Sequence, residues 1–203
     1  MLLLLITALL AITLLSAPTL TGGIMWDAAN TLGFIAFAGM LYLFVDVGRG
    51  ERNRFHQIAS YGAAAALTAH VVWLLAADMT IWHYLSPDAP PYMLTGLIAL
   101  LLLLTIMVLA LPRWRRLWQQ RFRSFQRWHY WLSLSAITMG AYHIWGSSFY
   151  IAGFIESAAF FALCSAIVLL HRIGRQYPRG NTATLWAVPA IGAAFVLLKW
   201  GVA

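Results

Sequence analysis

His56 and His70 stand fourteen positions apart, and so do His129 and His143. On an α-helix fourteen positions make nearly four turns, so each pair shares one face with its rings about 21 Å apart along the axis. If the two helices cross a membrane in the same direction, His56 lies at the depth of His129 and His70 at the depth of His143. Neutral imidazole is a good ligand for haem iron, and two axial nitrogens fill the coordination sphere and favour electron transfer over gas binding. A zinc ion would want three or four donors at one point, which four residues set this far apart cannot supply. The spacing therefore predicts two b-type haems, the inner one on His56 and His129 and the outer one on His70 and His143. No further catalytic side chain is assigned. Between the ligands run His56, Ser60, Ala63, Ala66, His70 and His129, Ser133, Ala136, Gly140, His143. These small side chains would let a flat macrocycle lie against each helix, and the same stripe also suits ordinary helix packing.

The elements that must carry these histidines follow from composition. Of 203 residues, 62% are hydrophobic and 9% charged, with a mean hydropathy of +0.78. Soluble domains are about half apolar and about a quarter charged, so this chain lacks the polar surface a soluble enzyme needs. Its aromatic and leucine content excludes a disordered chain as well. One cysteine, Cys164, leaves no disulfide framework, iron–sulfur cluster or Cys-rich zinc site. No glycine-rich nucleotide turn and no P-loop is present. The fold class expected is an all-α polytopic membrane helix bundle.

A crossing helix needs roughly 20 mostly apolar residues. Seven stretches qualify, approximately Leu2–Leu20, Ala28–Val45, Phe55–Ala77, Tyr92–Leu111, Trp128–Trp145, Ile151–Leu170 and Ala183–Leu198. Breaks at Pro18–Gly23, Gly48–Asn53, Ser86–Pro91 and Tyr177–Asn181 carry Gly, Pro and Asn turn chemistry. The reading is one transmembrane domain over residues 1–203, with a haem-binding core at about 28–172 and additional helices at 2–20 and 183–198. Leu15-Ser16-Ala17 faintly resembles a signal cleavage region, but no basic segment precedes it, so a retained first helix is expected.

Charge placement orients the bundle. Arg49, Arg52 and Arg54 follow the second stretch; Arg113, Arg115, Arg116, Arg121, Arg123 and Arg127 follow the fourth; Arg172, Arg175 and Arg179 follow the sixth. The loops after the first, third and fifth hold no Lys or Arg, and Lys199 is the one exception to the pattern. By the positive-inside rule the basic loops face the cytoplasm. The N-terminus is then cytoplasmic and the C-terminus outside, as in a multi-pass protein of a bacterial cytoplasmic membrane. The net charge of +7 reports this orientation on the lipid bilayer, with no nucleic acid partner implied.

The remaining candidates have plainer readings. His83 lies in the outer loop Met79–Pro91 and reads as solvated, with contact to a propionate or acceptor as the alternative. His171 reads as an interfacial residue at a helix C-terminus. Glu156, near the outer start of the sixth stretch, reads as interfacial, with a proton-relay role as the alternative. Arg52, Arg54, Arg123 and Arg127 flank the inner ligands; they serve as orientation signals and suit haem propionates equally. The tryptophans, Trp128 and Trp131 included, read as an interfacial belt, and Cys164 as packing.

Arg54-Phe55-His56-Gln57 through Ala69-His70, the basic loop Arg113–Arg127, and Phe125-Gln126-Arg127-Trp128-His129 through Tyr142-His143 together resemble the ferric reductase-like transmembrane domain. That superfamily includes ferric reductases, NADPH oxidases and the haem-bearing membrane subunit of a bacterial methionine sulfoxide reductase. The resemblance covers roughly Ala28–Arg172. It implies the same ligand pairs and electron flow from the cytoplasm to the outside. Many members have thirteen positions between the ligands of the fifth helix, against fourteen here, and many continue into a flavin and nicotinamide domain. With no such domain here, the donor is expected to be separate: a flavoprotein reductase carrying its own flavin, or a quinol within the membrane. The outer acceptor would be ferric iron, oxygen or a partner enzyme, so the chain would be the membrane subunit of an oxidoreductase. Two alternatives stay open. One is a cytochrome b subunit of a quinol-oxidising complex, which has similar ligand spacing. The other is a non-redox transporter or assembly protein whose histidines pack or relay protons.

Overall fold

Leucine-rich and alanine-rich stretches of this length form helices because only a helix satisfies every backbone polar group within one segment in lipid. The computed structural model describes residues 2–15, 23–45, 51–111, 122–173, 190–192 and 194–195. Among them no strand occurs. The helices are α1 (Leu2–Leu15), α2 (Gly23–Val45), α3 (Glu51–Ala77), a 3-10 helix (Met79–Leu85), α4 (Pro91–Ala110), α5 (Phe122–Ser147) and α6 (Phe154–Ile173).

Among the described residues, three helical stretches are long and apolar enough to cross a membrane: Gly23–Val45, Phe55–Ala77 and Pro91–Ala110. Leu2–Leu15 and Phe154–Leu169 are shorter apolar helices. α5 has 26 residues, but two histidines and several Trp, Tyr and Ser lower its hydropathy below that of the other three. The expected seventh stretch, Ala183–Leu198, lies mostly outside the described residues, with helix at 190–192 and 194–195.

Helix ends differ from the expected stretches where chemistry other than hydropathy decides. α2 begins at Gly23, five residues before Ala28, and so takes in Asp27. α3 begins at Glu51, because Glu, Arg and their neighbours continue a helix readily where an apolar window does not extend; its apolar part is Phe55–Ala77, as expected. α4 starts on Pro91 at its first position, where a missing N–H costs nothing. The sixth stretch starts at Phe154, with Ile151–Gly153 in the preceding loop. The expected loop Met79–Pro91 contains the 3-10 helix, fixed by Trp82 Nε1 donating to the Leu75 carbonyl at 2.9 Å.

α2 is the central helix. It packs most extensively on α3 and also touches α1, α5 and α6, while α4 pairs with α5 and α1 with α6. Phe37, Leu41, Phe160 and Ile167 are buried in one continuous core. Leu101, Leu104 and Val108 on α4 and Ile58, Val72 and Trp73 on α3 stay exposed, as side chains facing lipid would.

A carboxyl group inside such a bundle must be hydrogen-bonded to be tolerated. Asp27 is 1% exposed and accepts a hydrogen bond from the Tyr150 hydroxyl at 2.8 Å. The Tyr150 ring in turn meets Phe34 edge-on, 5.0 Å between centroids. This bond ties α2 to the loop between α5 and α6. Tyr150→Phe leaves a buried acceptor short of a donor and should cost about 1–2 kcal/mol. Thermal unfolding of the purified chain would then show a lower Tm, whereas an unchanged Tm would contradict the assignment.

Candidate functional site

α3 presents His56 and His70, and α5 presents His129 and His143. The His56 and His129 rings lie with centroids 6.4 Å apart and planes tilted by 51°. Four turns away His70 and His143 line one cavity. The fold thus brings His56 to His129 and His70 to the cavity that His143 lines, which requires α3 and α5 to run in the same direction.

The outer pair is set by backbone. His70 Nδ1 lies 2.8 Å from the Ala29 carbonyl of α2, and His143 Nδ1 lies 2.8 Å from the Tyr92 carbonyl of α4. A carbonyl oxygen only accepts, so Nδ1 carries the proton and donates in each case. That fixes the neutral tautomer whose Nε2 lone pair is available to a metal. Glycine makes room for both rings. A Cβ on Gly33 would sit 3.1 Å from His70 Nδ1, and one on Gly96 would sit 2.6 Å from His143 Nδ1.

The cavity between these rings has an empty volume of about 1120 Å³, part of it open to the surroundings. Its walls are mainly apolar, with Phe37, Leu67, Val71, Leu97 and Gly140 among them, and Asn30, Tyr84 and Ser147 supply polar groups. This combination of apolar walls and a few polar groups is typical of cofactor sites. Near the inner pair a second space of about 540 Å³, also partly open to the surroundings, lies against His129, walled by Ile106, Leu109, Phe125, Trp128 and Leu132. His56 is not part of that lining. Phe125 stacks on His129 at 5.6 Å.

Ala63 is buried and faces Gly39 of α2, where a Cβ would sit 3.3 Å away, which is helix packing. Gly140 opens onto the outer cavity, facing Phe37. Ser60 donates to the His56 carbonyl of its own helix at 2.7 Å.

His83 is exposed on the 3-10 helix and lines neither of these two spaces. Glu156 lies in the first turn of α6 with its carboxylate over Gly153, where the helix dipole favours negative charge. Arg127 is exposed, as are Trp128 and Trp131, and Cys164 is buried. Arg49, Arg113, Arg115, Arg116, Arg121, Arg175, Arg179 and Lys199 lie outside the described residues. So do the side chains of Arg52, Arg54, Arg123, His171 and Arg172. Hydropathy and histidine spacing do not reach Gly33, Gly96, Asp27 or Tyr150. The signal for the glycines is positional: each lies four residues after the accepting carbonyl, on the helix just before a histidine-bearing helix.

The geometry defines a helical membrane bundle built around two cross-helix histidine pairs. Residues 2–140 match the family model of the ferric reductase like transmembrane component, and the chain belongs to that family. The match takes in α1, which the resemblance over Ala28–Arg172 does not, and ends at Gly140, three residues before His143. No curated protein and no solved structure matches the chain.

Proposed function

We propose that this chain is a di-haem b-type electron conduit, passing electrons across a bacterial cytoplasmic membrane to an acceptor on the outer face. The observation that carries the reading is the pairing of His56 with His129 and of His70 with His143 at two depths on parallel helices. In this reading His56 and His129 hold the inner haem, and His70 and His143 the outer one. The bound haems supply the one-electron chemistry.

The protein's own residues orient and insulate. The Ala29 and Tyr92 carbonyls accept the Nδ1 protons of the outer ligands, which keeps each ring in one orientation and raises its basicity as a ligand. Phe37, Leu67, Val71 and Leu97 wall the outer cavity against water. The basic segments after α2, α4 and α6 support, by the positive-inside rule, a cytoplasmic side for the His56–His129 pair. There a flavoprotein, or a quinol within the bilayer, would be the donor. Ferric iron, oxygen or a partner enzyme would be the acceptor outside.

His70→Ala and His143→Ala should each remove the outer haem while part of the inner haem survives, read as haem per chain and as absorbance of the purified protein. Loss of the inner haem alone would contradict the pairing. His83→Ala should leave haem content unchanged, and a haem lost there would overturn the ligand set. Orientation is tested separately by single cysteines on a Cys164→Ser background. Ser86→Cys should react with an impermeant maleimide added outside intact cells, and Arg115→Cys only after lysis. The reverse pattern would invert the direction of transfer.

A further inference from the structure

We infer that Gly33 and Gly96 are positioning residues for the outer histidines, because the absence of a Cβ at each opens a helix carbonyl to an imidazole from the neighbouring helix. In an α-helix the carbonyl of residue i accepts the N–H of residue i+4, and its second lone pair stays available. The two carbonyls that receive the outer histidines belong to Ala29 and Tyr92, and the residues four positions on are Gly33 and Gly96. Each imidazole reaches its carbonyl over the site where the i+4 Cβ would stand. On Gly33 that atom would lie 3.1 Å from both Nδ1 and Cε1 of His70. On Gly96 it would lie 2.6 Å from Nδ1 and 2.9 Å from Cγ and Cε1 of His143. In both cases the obstructed group is a rigid ring, which cannot give way at a flexible tip.

The construction occurs twice, on segments with no evident sequence similarity. α2 serves α3, and α4 serves α5, and these are the two most extensive helix pairs in the bundle. The repeat is parallel, since α3 and α5 run the same way. Other glycines on these helices do not share it. A Cβ on Gly62 would meet nothing within 4 Å, and one on Gly39 would meet only the Ala63 side chain at 3.3 Å. Both controls are therefore available in the same protein: one open position, and one tight position that touches no histidine.

The test uses Gly33→Ala, Gly96→Ala, Gly62→Ala and Gly39→Ala in the full chain, in lipid nanodiscs, with 15N-labelled histidine. NMR follows the exchange-protected Nδ1–H of His70 and His143, assigned from the corresponding histidine substitutions. Haem per chain and the low-spin electron paramagnetic resonance (EPR) signal are read alongside. Gly96→Ala should lose the His143 Nδ1–H signal and about one of two haems. Gly33→Ala, with its milder contact, should shift the His70 signal or the outer low-spin g values. Gly62→Ala should match the wild type, and Gly39→Ala should lower Tm without moving either ring signal. Unchanged Nδ1–H signals in both Gly33→Ala and Gly96→Ala would overturn the inference. So would equal losses in Gly39→Ala, which would reduce the effect to helix packing. Only the haem readouts rest on the di-haem reading. A wild-type chain without haem would defeat that reading, while the Nδ1–H signals would still decide the role of the glycines.

Discussion

An imidazole placed inside a bilayer has two nitrogens to satisfy and no water to do it with. If one nitrogen is to face a metal, the other must donate to something fixed. For His70 and His143 that acceptor is a helix carbonyl, from Ala29 and from Tyr92 respectively. Much of the surrounding structure serves this contact. α2 must lie close enough to α3, and α4 to α5, for a ring to touch backbone, and small residues at the crossings permit it. Gly33, Gly39, Gly96 and Ala63 occupy those crossings. The cavity left between the two rings is then a result of holding both back against neighbouring helices.

The same constraint explains the central position of α2. It supplies the carbonyl for His70, packs Phe37 beside Gly140 of α5, and carries Asp27 into contact with Tyr150. A helix with those three tasks cannot shift without disturbing both histidine helices. Around the other pair, the His129 ring meets those of His56 and Phe125.

Much of this was legible in the sequence because two periods dominate it. Apolar length located Phe55–Ala77 as observed, and the fourteen-residue interval placed the four histidines in the pairs the fold brings together. Other features obey no period. Asp27 looks like a residue that ends an apolar stretch, and its hydrogen bond with Tyr150, 123 positions away, is invisible to any local pattern. Gly33 and Gly96 look like the ordinary glycines of membrane helices; their meaning depends on which ring crosses which carbonyl, a fact of tertiary packing. The charged first turn of α3 escaped a hydropathy window because helix formation and membrane burial are separate properties. Membership of the ferric reductase like transmembrane component family agrees with the resemblance carried by the histidine segments.

The central claim is that the two histidine pairs bind two haems. A pyridine haemochrome assay with an absorbance spectrum of the purified chain, expressed with haem supplied, tests it most directly. The account predicts about two b-type haems per polypeptide with a six-coordinate low-spin spectrum. No haem under those conditions would contradict it, and a single haem would leave one of the two pairs without its ligand.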